Sequence, residues 1–410
     1  MNAPPETPSP VELRPVPGSG GRTRSGSARI DAIDALRGLV IALMVLDHTR
    51  DFFHRTAFTA DPLALDSGDP VLFLTRWITH LCAPTFVFLA GLSVWLQKAS
   101  GKTPAELSRF LLTRGLWLII LEFTVIGLGF NFGWWLFAQV IWAIGLGLIL
   151  LAGLHRLPPF SLAALGLVIL VGQGVLASVP ATAFGVAEPL WRMLAIPGPA
   201  STALGFLLVA YPAIPWLGIV LLGYGLGGAL TDARGLKKRR VLLTAGGCIL
   251  VFAIGRGLNL DGFDPRPWTV QDSPLWTLFA VINTSKYPPS AAYGLITLGL
   301  ALLLLAGLDR WGHRVAAGLR VLGRTSLFTY LIHIWLAHGL ALAVGVATGV
   351  PASAFLNTIS DPGRLIAQGW GFGHLGVYVA WAVVMAILFP LSLWFDRVKR
   401  DRRDRWLGYL

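Results

Sequence analysis

A chain of 410 residues could hold two or three soluble domains, but this one carries too little charge for that. Hydrophobic residues make up 55% of it, charged residues 13%, and mean hydropathy is +0.66, where a soluble domain needs nearly twice that charge. The net charge of +12 comes without any basic stretch interleaved with aromatics, which excludes a nucleic-acid surface.

Apolar segments recur from end to end, continuous and Leu-rich rather than alternating, so they read as helices and not as a barrel. The fold class expected is an all-α integral membrane protein, a bundle of about ten transmembrane helices with cytoplasmic N- and C-termini. Residues 1–28, rich in Pro, Gly, Ser and Arg, predict a disordered cytoplasmic tail and not a cleaved signal peptide. Spans follow near 33–53, 71–96, 109–128, 134–154, 160–179, 203–230, 241–258, 288–308, 324–347 and 375–396, and a basic cytoplasmic tail over 397–410. The longer outer loops fall near 54–70, 180–202, 259–287 and 348–374. With the N-terminus inside, twenty-five of the 33 Lys and Arg residues lie in inner segments, as the positive-inside rule requires. The charge therefore reads as topology and contact with anionic lipid. Cys82 and Cys248 both fall inside spans, so no structural disulfide is expected.

Ionisable groups inside spans are costly and are functional candidates by default. At 1.5 Å per residue, His48 and His338 stand roughly 21 Å above the inner starts of their spans, with Glu122 near the same height. Arg76 and His80 descend to that level from the other side, while His333 sits nearer mid-membrane. At 100° per residue Arg37, His48 and Asp51 share one face of the first span, flanked by Asp47 and His54. Asp51 is three residues from both histidines and can orient either imidazole. Arg37 and His48 stand roughly 16 Å apart, the two ends of one long, thin ligand. Blander readings compete. Arg37 also serves as a topology anchor, and a lone His80 or His333 as a helix-to-helix hydrogen bond. Trp216, with Pro212 and Pro215, reads as a kink within a span. Lys286 and Tyr287, in the run Lys286-Tyr287-Pro288-Pro289-Ser290, read as interfacial anchors.

The run from Arg29 through Asp34, Arg37, Gly38 and Met44 to Asp47 and His48 resembles the opening of the heparan-α-glucosaminide N-acetyltransferase catalytic-domain family, in its bacterial branch. Further similar stretches are Ala83–Gly91, Tyr211–Gly218 with Pro215 and Trp216, Lys286–Ser290, and Gly323–Tyr330, so the resemblance runs from about residue 29 to 340. It implies a transmembrane acyltransferase domain over 29–396 that takes an acyl group, acetyl by family, from cytoplasmic acyl-CoA to a sugar amine or hydroxyl on the far side of a bacterial inner membrane. The related membrane sugar O-acetylases carry an arginine, ten intervening residues and a histidine, a spacing that Arg37 and His48 match. In the lysosomal enzyme the position of His48 looks like asparagine and the essential histidine lies further along, with His54 the nearest match here.

The implied catalytic set is His48, His54, Asp47, Asp51, Arg76 and His80, and the implied acyl-CoA-binding set is Arg37, Lys286, Tyr287 and Trp216. The histidine acts as general base or as acyl carrier. No metal is expected, since His48, His54, His80 and Asp47 lack tight ligand spacing. The partners implied are the bilayer, acyl-CoA and a glycan acceptor, with a homodimer allowed and nucleic acid excluded. The competing class is a proton-coupled transporter built on the same His, Asp and Arg layer, but no paired repeat with matching broken segments supports it.

Overall fold

The first helix, α1 (Asp31–Phe53), is the axis of the molecule. The computed structural model describes residues 30–402, 404 and 407, and the tail expected over 1–28 lies outside the described residues. Around α1 are packed α2 (Pro70–Thr79), α3 (Cys82–Ala99), α9 (Ala291–Val315), a short helix (Ala317–Arg324), α10 (Ser326–Ala347) and α11 (His374–Asp401). The outer members of the bundle are α4 (Pro104–Leu121), α5 (Val140–Leu154), α6 (Pro159–Val171), α7 (Ala213–Leu230) and α8 (Lys238–Gly257). Gly38 of α1 and Gly323 make a reciprocal close crossing. A Cβ at Gly38 would collide with the Leu319 carbonyl, and one at Gly323 with the Asp34 carbonyl. Small residues let two backbones approach in this way where lipid gives no hydrophobic drive between helices.

Among the described residues, seven helices are long and apolar enough to cross a membrane, which makes this a multi-pass, mostly helical membrane protein. Two shorter apolar helices, α5 and α6, and the charged but buried α1 occupy the remaining expected positions. Several boundaries differ from the sequence reading. The expected span 71–96 is two helices, broken at His80–Leu81. Proline is the cause: Pro84 has no N–H to donate to the His80 carbonyl four residues back, and the Tyr293 hydroxyl donates to it instead at 2.9 Å. The expected span 203–230 begins as a strand and becomes helical only at Ala213, with Pro212 as the N-cap. Trp216 therefore lies in the first turns of α7, with Pro212 and Pro215 at the helix start rather than at a kink within a span. The last helix continues to Asp401, past the boundary expected at 397.

A small three-stranded sheet was not legible from hydropathy. Strands β1 (Leu136–Ala138), β2 (Gly198–Thr202) and β3 (Gly205–Val209) run in the order β1-β3-β2. β1 pairs parallel to β3, with Leu136 opposite Leu207, and β2 pairs antiparallel. The apolar run Gly205-Phe-Leu-Leu-Val209 leads straight into the α7 run, so periodicity alone merges the two. The sheet delivers Phe137, Ala210 and Tyr211 to the wall of a polar cavity.

Candidate active site

The last turns of α1 carry a dense group of polar side chains. Arg50, buried, donates to Asp47 at 3.2 Å and to Asp51 at 2.6 Å. Arg76, from α2, donates to the other Asp47 oxygen. His48 Nδ1 faces Asp51 Oδ2 at 3.4 Å. Its ring lies 5.0 Å from that of Phe130 and 5.3 Å from that of His333 on α10. Two arginines and two carboxylates thus neutralise one another beside one imidazole, the arrangement by which buried charges become tolerable.

These groups line a cavity of about 220 Å³. Asp47, His48, Asp51, Arg76, Lys286 and Tyr287 all reach it, together with Gln139, Tyr211 and apolar side chains. Lys286 is buried, its ammonium 4.9 Å from the centre of the Tyr287 ring and 5.7 Å from that of Tyr211. The loop that presents Lys286 and Tyr287 is held by Asp264. That carboxylate accepts from the Ser285 amide at 3.0 Å and the Ser290 hydroxyl at 2.5 Å. Asp264 went unnoticed in the sequence because Ser285 and Ser290 lie more than twenty residues away.

A second cavity, of about 300 Å³, lies toward the start of α1. Arg37, Arg114, Arg324 and Lys399 line it, with Ser93, Gln97 and Ser326, and no carboxylate is among its lining residues. Carboxylates stand behind two of the cations: Arg37 donates to Asp34 at 3.0 Å, and Arg324 grips Asp396 through two bonds of 2.8 and 2.6 Å. Arg37 also donates to Ser93 at 3.2 Å. Phe86 and Val140 line both cavities, so the two are back to back across one thin wall. Arg114, Arg324 and Lys399 were hidden in the sequence because the positive-inside rule already accounted for every one of them.

Three of the expected site residues lie elsewhere. His54, a candidate base, bonds Thr56 at 2.9 Å and packs beside His374, with ring centres 5.1 Å apart, and lines neither cavity. His80, another candidate, is buried at the α2–α3 break against Tyr293 and lines neither. Trp216, a candidate contact to the acyl donor, is 0% exposed and lies behind Tyr211, 4.7 Å between ring centres. The polar layer also loses two members. Glu122 accepts from the Trp142 amide at 2.9 Å, serving as a cap for the start of α5. His338 is stacked on Phe132 at 3.7 Å and bonded to the Gly129 and Phe355 carbonyls at 2.9 and 3.0 Å. Equal depth in the membrane placed these residues in one layer, but their side chains face different neighbours. The cysteines are free, and no group of metal-ligating side chains occurs among the described residues.

Helices long and apolar enough to span a membrane, a cavity lined by a histidine and carboxylates, and a cationic cavity behind it describe a multi-pass membrane protein with two adjoining polar pockets. The model of the heparan-alpha-glucosaminide N-acetyltransferase catalytic family matches residues 29–257, just over half of the chain. The chain belongs to that family, a family of membrane acetyltransferases. The match covers Arg37, Asp47, His48, Asp51 and Arg76, while Lys286, Tyr287 and helices α9–α11 lie beyond it. No curated protein matches the chain.

Proposed function

We propose that this protein is an acyl-CoA-dependent transmembrane acyltransferase that moves an acetyl group from a cytoplasmic donor to a sugar amine or hydroxyl on the opposite side of a bacterial inner membrane. One observation carries the reading: the cationic cavity and the His48 cavity meet at Phe86 and Val140. A CoA has a polyanionic head, a long narrow arm and a terminal thioester. Arg37, Arg114, Arg324 and Lys399 suit the head, since guanidinium groups bind phosphate through paired bonds. From Arg37 to His48 is eleven residues of helix, or roughly 16 Å, which the arm covers along α1 past Ile41. The thioester then arrives at the wall facing His48.

With Nδ1–H directed at Asp51, His48 presents Nε2 as the base. It removes the proton from the acceptor oxygen or nitrogen as that atom attacks the thioester carbonyl. The carboxylate stabilises the resulting imidazolium. Lys286, beside the same cavity, stabilises the carbonyl oxygen as it gains charge. The C–S bond breaks, and the proton held by His48 passes to the departing thiolate. The products are an acetylated acceptor and free CoA.

The test is acetyl-CoA binding to detergent-purified protein, with CoA release followed against amino sugars and envelope glycans. Arg37→Ala should weaken acetyl-CoA binding in a folded protein, and Arg37→Lys should restore it only in part. Unchanged affinity in Arg37→Ala would return that residue to the role of an anchor.

A further inference from the structure

Helices α6 and α7 pack closely on each other, and α8 packs closely on α9, but the two pairs meet only sparsely. Between them lies a groove of about 670 Å³, larger than either cavity described above. Its walls are almost wholly apolar, among them Leu170, Leu222, Leu298 and Phe88. Gly247 and Gly294 hollow it out. Its rim is about half exposed, at Leu167 and Val171 on the apolar helix α6, at Val251 on α8, which is long and apolar enough to cross a membrane, and at Leu260 just beyond α8, so the groove opens to hydrocarbon.

A void of this size does not persist in a condensed phase, because its lining would forfeit its packing contacts. Water does not fill it, because an apolar wall offers too few partners. Along α9 the groove runs from Ala291 to Leu302, eleven residues or roughly 16 Å. That is about half of a hydrocarbon core of about 30 Å, the reach of one leaflet's chains. At its upper end lies Asp261, an exposed carboxylate, which complements a headgroup carrying an ammonium.

We propose that this groove is a lipid site. It seats one acyl chain of a bilayer phospholipid from the leaflet at the His48 end, with an amine-bearing headgroup at Asp261. The site has a route to the polar cavity. Phe263 and Ala291, at its upper end, adjoin Asp264 and Ser290 in the chain, and the Ala292 amide donates to the Phe263 carbonyl at 3.2 Å. Asp264 and Ser290 are the residues that hold the Lys286–Tyr287 loop. A seated chain therefore braces the wall of the His48 cavity, whatever reaction that cavity performs.

Native mass spectrometry of the full chain, supplied with phosphatidylethanolamine or phosphatidylglycerol of identical chains, tests the proposal. One phosphatidylethanolamine should survive detergent exchange in preference to phosphatidylglycerol. Gly294→Leu should lower the bound fraction about tenfold, the effect of denying the chain two or so methylene contacts. A Cβ there meets only Leu170 Cδ1, at 3.6 Å, so the new side chain enters the groove without a backbone clash. Should Gly294→Leu fail to fold, Gly247→Leu makes the same test, since nothing lies within 4 Å of a Cβ at that position. Asp261→Asn should keep the lipid and lose the headgroup preference. Equal binding in the wild type and the groove-filled variant overturns the proposal, as does retention of an isoprenoid lipid in place of the phospholipid.

Discussion

His48 and His54 lie six residues apart at the end of one helix, yet they face different surroundings. His48 reaches the polar cavity with Asp51 at its Nδ1, while His54 is tied to Thr56 and packed beside His374. His48→Ala should therefore abolish acyl transfer, with a loss of about 10²–10⁴ if the imidazole is a general base alone. His54→Ala should cost far less. A labelled acetyl group on His48, trapped after mixing with acetyl-CoA and read by mass spectrometry, would mark a covalent route instead. Near-normal turnover in His48→Ala beside a dead His54→Ala would transfer the role to His54. At this scale the sequence was informative within one helix and weak between helices. The spacing of Arg37, Asp47, His48 and Asp51 along α1 was readable, because helical geometry fixes it. Which side chains join them from other elements was not: Lys286, Tyr287 and Arg76 line the same cavity, while Trp216 and His80 face other neighbours.

Elements end where local chemistry dictates, and α2 is the clearest case. Asp69 is its N-cap, accepting from the Leu72 amide at 2.9 Å, and Pro70 follows as the first helical residue. The same carboxylate accepts from His374, the first residue of α11, at 2.8 Å. One side chain thus joins the start of the helix that carries Arg76 to the start of the last helix. Partial burial pushes the Asp69 carboxyl up, but the Leu72 amide and the His374 imidazole outweigh it and hold the group below its ordinary value. A depressed native value means that the contribution is fully present above the unfolded-state value near 4, and is lost as pH falls through the native one. Asp69→Ala should cost about 1 kcal/mol at neutral pH through loss of the cap. Thermal melts of the two proteins should converge as the pH is lowered below about 4. A difference that is constant with pH would assign the effect to something other than the carboxylate. The break between α2 and α3 could be read from Pro84, but the Tyr293 hydroxyl that satisfies the freed carbonyl lies more than two hundred residues away.

For the whole molecule, the distribution of Lys and Arg sets the expected orientation, with the Arg37 cavity on the cytoplasmic side. A reporter fused after Gly235 should read cytoplasmic, and one placed within 62–68 should read external. Both on one side would refute the ten-pass arrangement. The orientation also bears on how the chain is held in the membrane. α1 carries Asp31, Asp34, Arg37, Asp47, Arg50 and Asp51. A single Asp or Arg at the centre of an isolated helix already costs about 2.5–3.5 kcal/mol on insertion. Of the elements packed around α1, α2 and α3 follow it directly, while Ala317–Arg324, α10 and α11 lie more than 260 residues further along the chain. The charges of α1 are therefore answered from both near and far in the chain: Arg76 of α2 donates to Asp47, while the close crossing at Gly38 is made by an element far downstream.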